Sequence, residues 1–179
     1  MNELYNRYAL AFLDLAKEEK KVSEFREEVA SLRTVFKENV ELITFLSSYN
    51  FKENEKFDFI DKNLSKYYSD ETINYVKIII HHRRSNLLYK IFNETLMRFD
   101  DYLNIERGTV YSTMPLSPNE IKRLTEVIEK NSGKKIELHN VIDASLIGGI
   151  KVVLKNDIYD ASIKSKIISL RQSLLKGGN

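Results

Sequence analysis

Asp143, Asp157 and Asp160 lie near one another in the last third of the chain. Carboxylates grouped in this way could act as a general acid and base, or hold a cation. Their contexts point elsewhere. Asp143 opens Asp-Ala-Ser-Leu-Ile-Gly-Gly and Asp160 opens Asp-Ala-Ser, patterns in which the carboxylate caps a turn or a helix. Gly148-Gly149 lacks the flanking glycine, lysine and Ser/Thr of a phosphate loop. His81-His82-Arg83-Arg84 is the densest basic cluster and could meet phosphate or RNA. Adjacent histidines do not easily face one metal, and cations at the end of a helix complement its dipole. The absence of cysteine excludes thiol nucleophiles and zinc–thiolate sites. No nucleophile–base pair stands at recognisable spacing. No catalytic residue, cofactor or metal is expected.

The elements that would position these residues divide the chain. All six glycines and both prolines lie at or beyond Gly108, and every Phe and Tyr except Tyr111 and Tyr159 precedes it. A stretch free of Gly and Pro runs as helices without internal breakers. Helices are predicted over 2–17, 22–37, 42–46, 53–67, 70–81 and 85–103, with Asp70 as the cap of the fifth. The first and fifth are apolar nearly all round, more than one core-facing side needs. If they lie side by side, the surplus forms a groove for an amphipathic helix of another chain.

After Gly108, Thr109–Met114, Ile136–Leu138 and Ile150–Leu154 alternate as three strands. Ser117-Pro118-Asn119-Glu120 is a capping box that opens a helix, and Asp160 is placed to cap a last one. The expected fold is α+β: an N-terminal six-helix bundle over 1–105, followed by a small α/β domain over 106–179 with a short sheet and two helices. The net charge of +2 does not by itself call for a nucleic acid. No run approaches a membrane span, and the N-terminus lacks a signal-peptide pattern.

In order along the chain, several short motifs resemble the ATP synthase delta subunit family, whose mitochondrial relative is the oligomycin-sensitivity-conferring protein. They are Arg7-Tyr8-Ala9 with Ala11-Phe12 and Leu15-Ala16, Arg83-Arg84-Ser85-Asn86-Leu87-Leu88, Met114-Pro115-Leu116-Ser117 and Gly133-Lys134-Lys135-Ile136. Asp143 to Gly149, ending in Gly148-Gly149, and Asp160 to Ser162 complete the set as a structural signature.

The resemblance implies a non-catalytic stator subunit in the peripheral stalk of a proton-translocating rotary ATP synthase. It would link the catalytic head to the membrane sector, as a peripheral protein on the cytoplasmic face of the cell membrane. It implies two partners. The N-terminal helix of an alpha subunit would enter a groove at Tyr8, Ala11, Leu15, Asn74 and Ile78. The C-terminal helices of the b subunits would meet the last helix at Ile167, Leu170 and Leu174. The rival expectation, resting on His81–Arg84, is an RNA-binding or antitermination-like helical adapter.

Overall fold

A computed structural model describes residues 2–155 and 157–176. The chain divides into two compact units, residues 1–103 and 104–179.

The first unit holds α1 (Asn2–Glu18), α2 (Val22–Glu38), α3 (Val40–Ser47), α4 (Glu53–Leu64), α5 (Asp70–His81) and α6 (Leu88–Leu103). A 3-10 turn, Ser85–Leu87, precedes α6. The stripe on α6, from Leu88 through Ile91, Phe92 and Leu96 to Phe99, is completely buried, and α6 packs on both α1 and α2. At the centre the Phe12 ring stacks between two others. Its centroid lies 4.2 Å from Tyr75 and 5.3 Å from Phe25, with interplanar angles of 7° and 10°. Thr95 Oγ1 donates its one proton to the Ile91 carbonyl at 2.8 Å, so the Tyr75 hydroxyl donates to Thr95, also at 2.8 Å. Burial pushes the Tyr75 phenol well above its ordinary pKa. Arg26 Nε on α2 meets Asp100 Oδ1 on α6 at 2.6 Å, both nearly buried.

Several helices end without glycine. Lys20 and Arg83 adopt φ of 57° and 56°, the left-handed conformation that closes a helix. After α5, Arg83 N–H bonds the Ile80 carbonyl at 2.8 Å and Arg84 N–H bonds that of Ile79 at 3.0 Å. The cap of α5 is Ser69, not Asp70. Its hydroxyl accepts from Thr72 N–H and is held by Glu28 at 2.7 Å.

The second unit holds β1 (Ile105–Ser112), α7 (Pro118–Ser132), β2 (Lys135–Ile142), a 3-10 turn at Ala144–Leu146, β3 (Ile150–Val153), β4 (Ile158–Asp160) and α8 (Ile163–Lys176). The sheet order is β2-β1-β3-β4. β1 and β2 run parallel, from Ile105 opposite Lys135 to Ser112 opposite Ile142, joined by α7 as the crossover. β3 is antiparallel to both β1 and β4. Val110, Ile128, Ile136, Val152 and Leu154 form the core. Ser117 and Glu120 make the capping box of α7. Buried Glu106 accepts from Lys134 Nζ at 2.6 Å and from Lys155 N–H at 3.1 Å, bonds that hold its carboxyl below the usual range, Lys134 foremost.

The expected fold needs correction. Among the described residues there are eight α-helices and a four-stranded mixed sheet, an α+β arrangement. The first six helices do not stand as one six-helix bundle. α1 and α2 share α6, α4 packs on α5, and the eight-residue α3 leans on the 3-10 turn. Nor is the sheet three-stranded. β4 has three exposed residues and so no alternation to read. β1 begins at Ile105, because Asn104 at φ 55° ends α6. Gly108 then lies within the strand, where Leu154 and Leu138 crowd the position of a side chain.

Removing one partner of the Arg26–Asp100 pair strands a buried charge. Asp100→Ala is expected to destabilise the chain by about 3–5 kcal/mol in chemical denaturation. The double variant Arg26→Met with Asp100→Leu should recover most of that loss.

Candidate functional site

α1 and α5 each bury one side in the core of the first unit and turn another to a shared cleft of about 450 Å³. From α1 come Arg7, Tyr8, Ala11, Phe12 and Leu15; from α5 and the turn after it come Glu71, Asn74, Tyr75, Ile78, His82 and Arg84. The spacing explains the grouping: steps of three and four along a helix share one face. Phe12 and Tyr75, buried and stacked, form the floor. Ile78 is 49% exposed at the wall. Arg84 Nη1 donates to the Tyr8 hydroxyl at 2.6 Å, and the Tyr8 and His82 rings meet in a T-shaped contact with centroids 6.3 Å apart. The cleft is thus apolar at its floor, with charged Arg7, Glu71 and Arg84 and the ring of His82 at its rim. That suits the apolar face of a helix with polar flanks.

Tyr8, Ala11, Leu15, Asn74 and Ile78 are all brought together here. Arg7, His82 and Arg84 stand in motifs read from the sequence, but no rim residue was assigned to the groove. Glu71 and His82 share the helical spacing of Asn74 and Ile78, and Arg7 that of Ala11, so periodicity carried a signal for them. For the placing of Arg84 periodicity carried none, since it reaches Tyr8 across a sequence separation of 76.

The basic cluster is consumed locally. His81 Nδ1 bonds Glu53 Oε1 at 2.9 Å, and His82 Nδ1 bonds the Ile78 carbonyl at 2.7 Å. Arg83 lies 5.9 Å from the Tyr49 ring centroid. The four residues do not form one open basic stripe of the kind that tracks a nucleic-acid backbone.

In the second unit the carboxylates serve the backbone. Asp143 Oδ1 accepts from Ser145 N–H at 2.9 Å, and hydrogen bonds from Ser145 hold its carboxyl below the usual range. The cap of α8 is Ser162, whose Oγ accepts from Ser165 N–H at 3.2 Å; Asp160 stands two residues earlier. Asp160 Oδ2 accepts from Ser165 Oγ at 2.5 Å and Oδ1 from Ser162 N–H at 2.9 Å, which pull its pKa down to about 2. The two halves of the signature meet. Gly149 adopts φ +82°, and a Cβ there would stand 2.5 Å from the Ala161 carbonyl oxygen. Ile163 N–H bonds the Gly148 carbonyl at 3.0 Å, tying the start of α8 to the turn. On α8, Ile167 and Leu170 are exposed, at 56% and 63%. The side chain of Leu174 lies outside the described residues. Among the described residues no group of His, Cys, Asp and Glu could hold a metal ion.

A sequence model of the ATP synthase delta (OSCP) subunit matches residues 4–174. ATP synthase subunit delta of Bacillus thuringiensis (strain Al Hakam) is 35% identical over 171 residues, 95% of this chain and 94% of the relative. Its counterpart in Bacillus cytotoxicus is 34% identical over the same shares. A chain in the cryo-EM structure of the Toxoplasma gondii mitochondrial ATP synthase hexamer matches in fold, with a TM-score of 0.67 at 17% identity, over 96% of this chain and 97% of its own.

Two outcomes test the signature. Gly149→Ala, strained by its φ and by the backbone of Ala161, should cost about 2 kcal/mol or more in thermal or chemical unfolding. The Asp160 carboxyl should titrate by NMR with a midpoint of about 2, and Ser165→Ala should raise it. Because the folded value is depressed, the stabilisation it gives is intact above roughly pH 4 and lost as pH falls through the folded midpoint.

Proposed function

The chain belongs to the ATP synthase delta (OSCP) subunit family, and from that premise we infer the work of each unit. It is a structural, non-catalytic subunit of an ATP synthase, in the peripheral stalk. The cleft between α1 and α5 receives the N-terminal helix of an alpha subunit of the catalytic head. The exposed face of α8, with Ile167 and Leu170, meets the C-terminal helices of the b subunits. The observation that carries this reading is the cleft: a preformed apolar floor between two helices, with a rim of both charges.

The mechanics fit that geometry. A stator resists torque without bond chemistry, so it needs contacts that stay closed under load. An apolar helix face seated on a rigid aromatic floor gives such a contact, because little ordering remains to be done on binding. The rim charges fix register and direction more than they add affinity. No helix among the described residues is long and apolar enough to cross a membrane. The subunit reaches the membrane sector through its b partners, and its place is the cytoplasmic face of the cell membrane.

Titration of the full chain with a peptide from the alpha-subunit N-terminus tests the cleft. Saturable binding with helix formation in the peptide is expected. Tyr8→Asp and Ile78→Asp should each weaken it about 30-fold or more, the effect of losing an anchor worth about 2 kcal/mol. Circular dichroism of the variants should be unchanged. No saturable binding by the native chain, or undiminished binding by both variants, would sink this assignment.

A further inference from the structure

The two ends of the α1–α5 cleft are unlike. α1 and α5 run antiparallel along it. The Tyr8 and His82 rings meet with centroids 6.3 Å apart, Phe12 stacks on Tyr75 at 4.2 Å, and Lys21 Nζ lies 3.7 Å from Glu71 Oε1. As the residue number rises along α1, that of its neighbour on α5 falls. The start of α1 and the close of α5 therefore share one end of the cleft, and the close of α1 and the start of α5 share the other. Between Glu71 and the C-cap His82 the backbone advances about 16 Å, or about three turns.

The charges sort by end. Arg7 and Arg84 stand at the first. Arg84 Nη1 is engaged by the Tyr8 hydroxyl rather than by a carboxylate, so its charge is not balanced there. At the second end Glu71 lines the cleft. Exposed Glu18 continues the same face of α1, one step of three beyond Leu15. Opposing charges stand nearby, Glu3 a turn before Arg7 and Lys21 beside Glu71. Each faces two of the other sign, which reduces the polarity of the cleft without reversing it. Between the ends the walls are uncharged, at Ala11, Asn74 and Ile78. A docked helix thus meets charge near its two ends and apolar or amide groups between them.

Resting on the reading of the cleft as the seat of the alpha-subunit helix, we propose that this polarity selects the direction in which that helix lies. The occupant is an amphipathic helix with a carboxylate on its flank at the Arg7–Arg84 end. It carries an ammonium or guanidinium at the Glu71 end, about three turns away. Turned end for end, the same helix would still fit by its apolar face but would set like charges together at both ends. The aromatic floor supplies affinity, and Arg7, Arg84 and Glu71 supply direction.

Calorimetric titration of the full chain with the alpha-subunit N-terminal peptide reads the affinity. A spin label on the more acidic end of that peptide reads the direction, through broadening of amide resonances. Broadening at Arg7 and Arg84, and not at Glu18 and Glu71, is expected. Arg7→Glu should weaken binding about threefold, and Arg7→Glu with Glu71→Lys about tenfold, with circular dichroism unchanged. The deficit should shrink at high salt, which a merely structural loss would not do. Binding by the double variant as tight as by the native chain, a deficit insensitive to salt, or broadening at Glu18 and Glu71 overturns the polarity and leaves the cleft assignment standing. Failure of the native chain to bind the peptide removes both.

Discussion

The cleft between α1 and α5 depends on the stacking of Phe12 between Phe25 and Tyr75. The Phe12–Tyr75 contact joins α1 to α5, and its outer surface is the floor of the cleft. Tyr75 is in turn held from below by the hydrogen-bonded pair with Thr95 on α6. The same side chains therefore close the core and shape the surface where a partner would sit. A floor locked by aromatic stacking and a buried hydroxyl pair is preorganised.

The second unit solves a different problem. Its last helix must begin where a hairpin strand ends, and the turn before β3 must pass against that same junction. The backbone of Ala161 and Ser162 comes so near Gly149 that no side chain fits. Asp143 and Asp160 then satisfy the N–H groups that these tight turns leave unpaired. Carboxylates that resemble an acid–base set are thus engaged by the N–H and hydroxyl groups of these turns.

The basic segment after α5 is divided between two cavities. Arg84 turns to Tyr8 and the cleft, while Arg83 and Ser85 line the second cavity with Lys52 and Lys56. This division follows from the way the helix ends. The left-handed conformation at Arg83 reverses the chain, so neighbouring side chains diverge.

The sequence by itself determined the periodic faces of the helices, the capping box at Ser117 and the family, because these are written in local spacing and in short ordered motifs. It placed Tyr8, Ala11, Leu15, Asn74 and Ile78 on faces that the structure brings to one cleft. It missed β4, which is too short and exposed to alternate. It started β1 late, because Gly108 reads as a breaker when its role is to admit Leu154. It also named Asp70 and Asp160 as caps where Ser69 and Ser162 serve. Only the tertiary structure decided how the helices pair, and with that the arrangement that replaces a simple six-helix bundle. It alone set Arg84 on Tyr8 and Arg26 on Asp100. These are contacts between residues far apart in the chain, and no periodicity within a helix encodes which distant side chain it will meet.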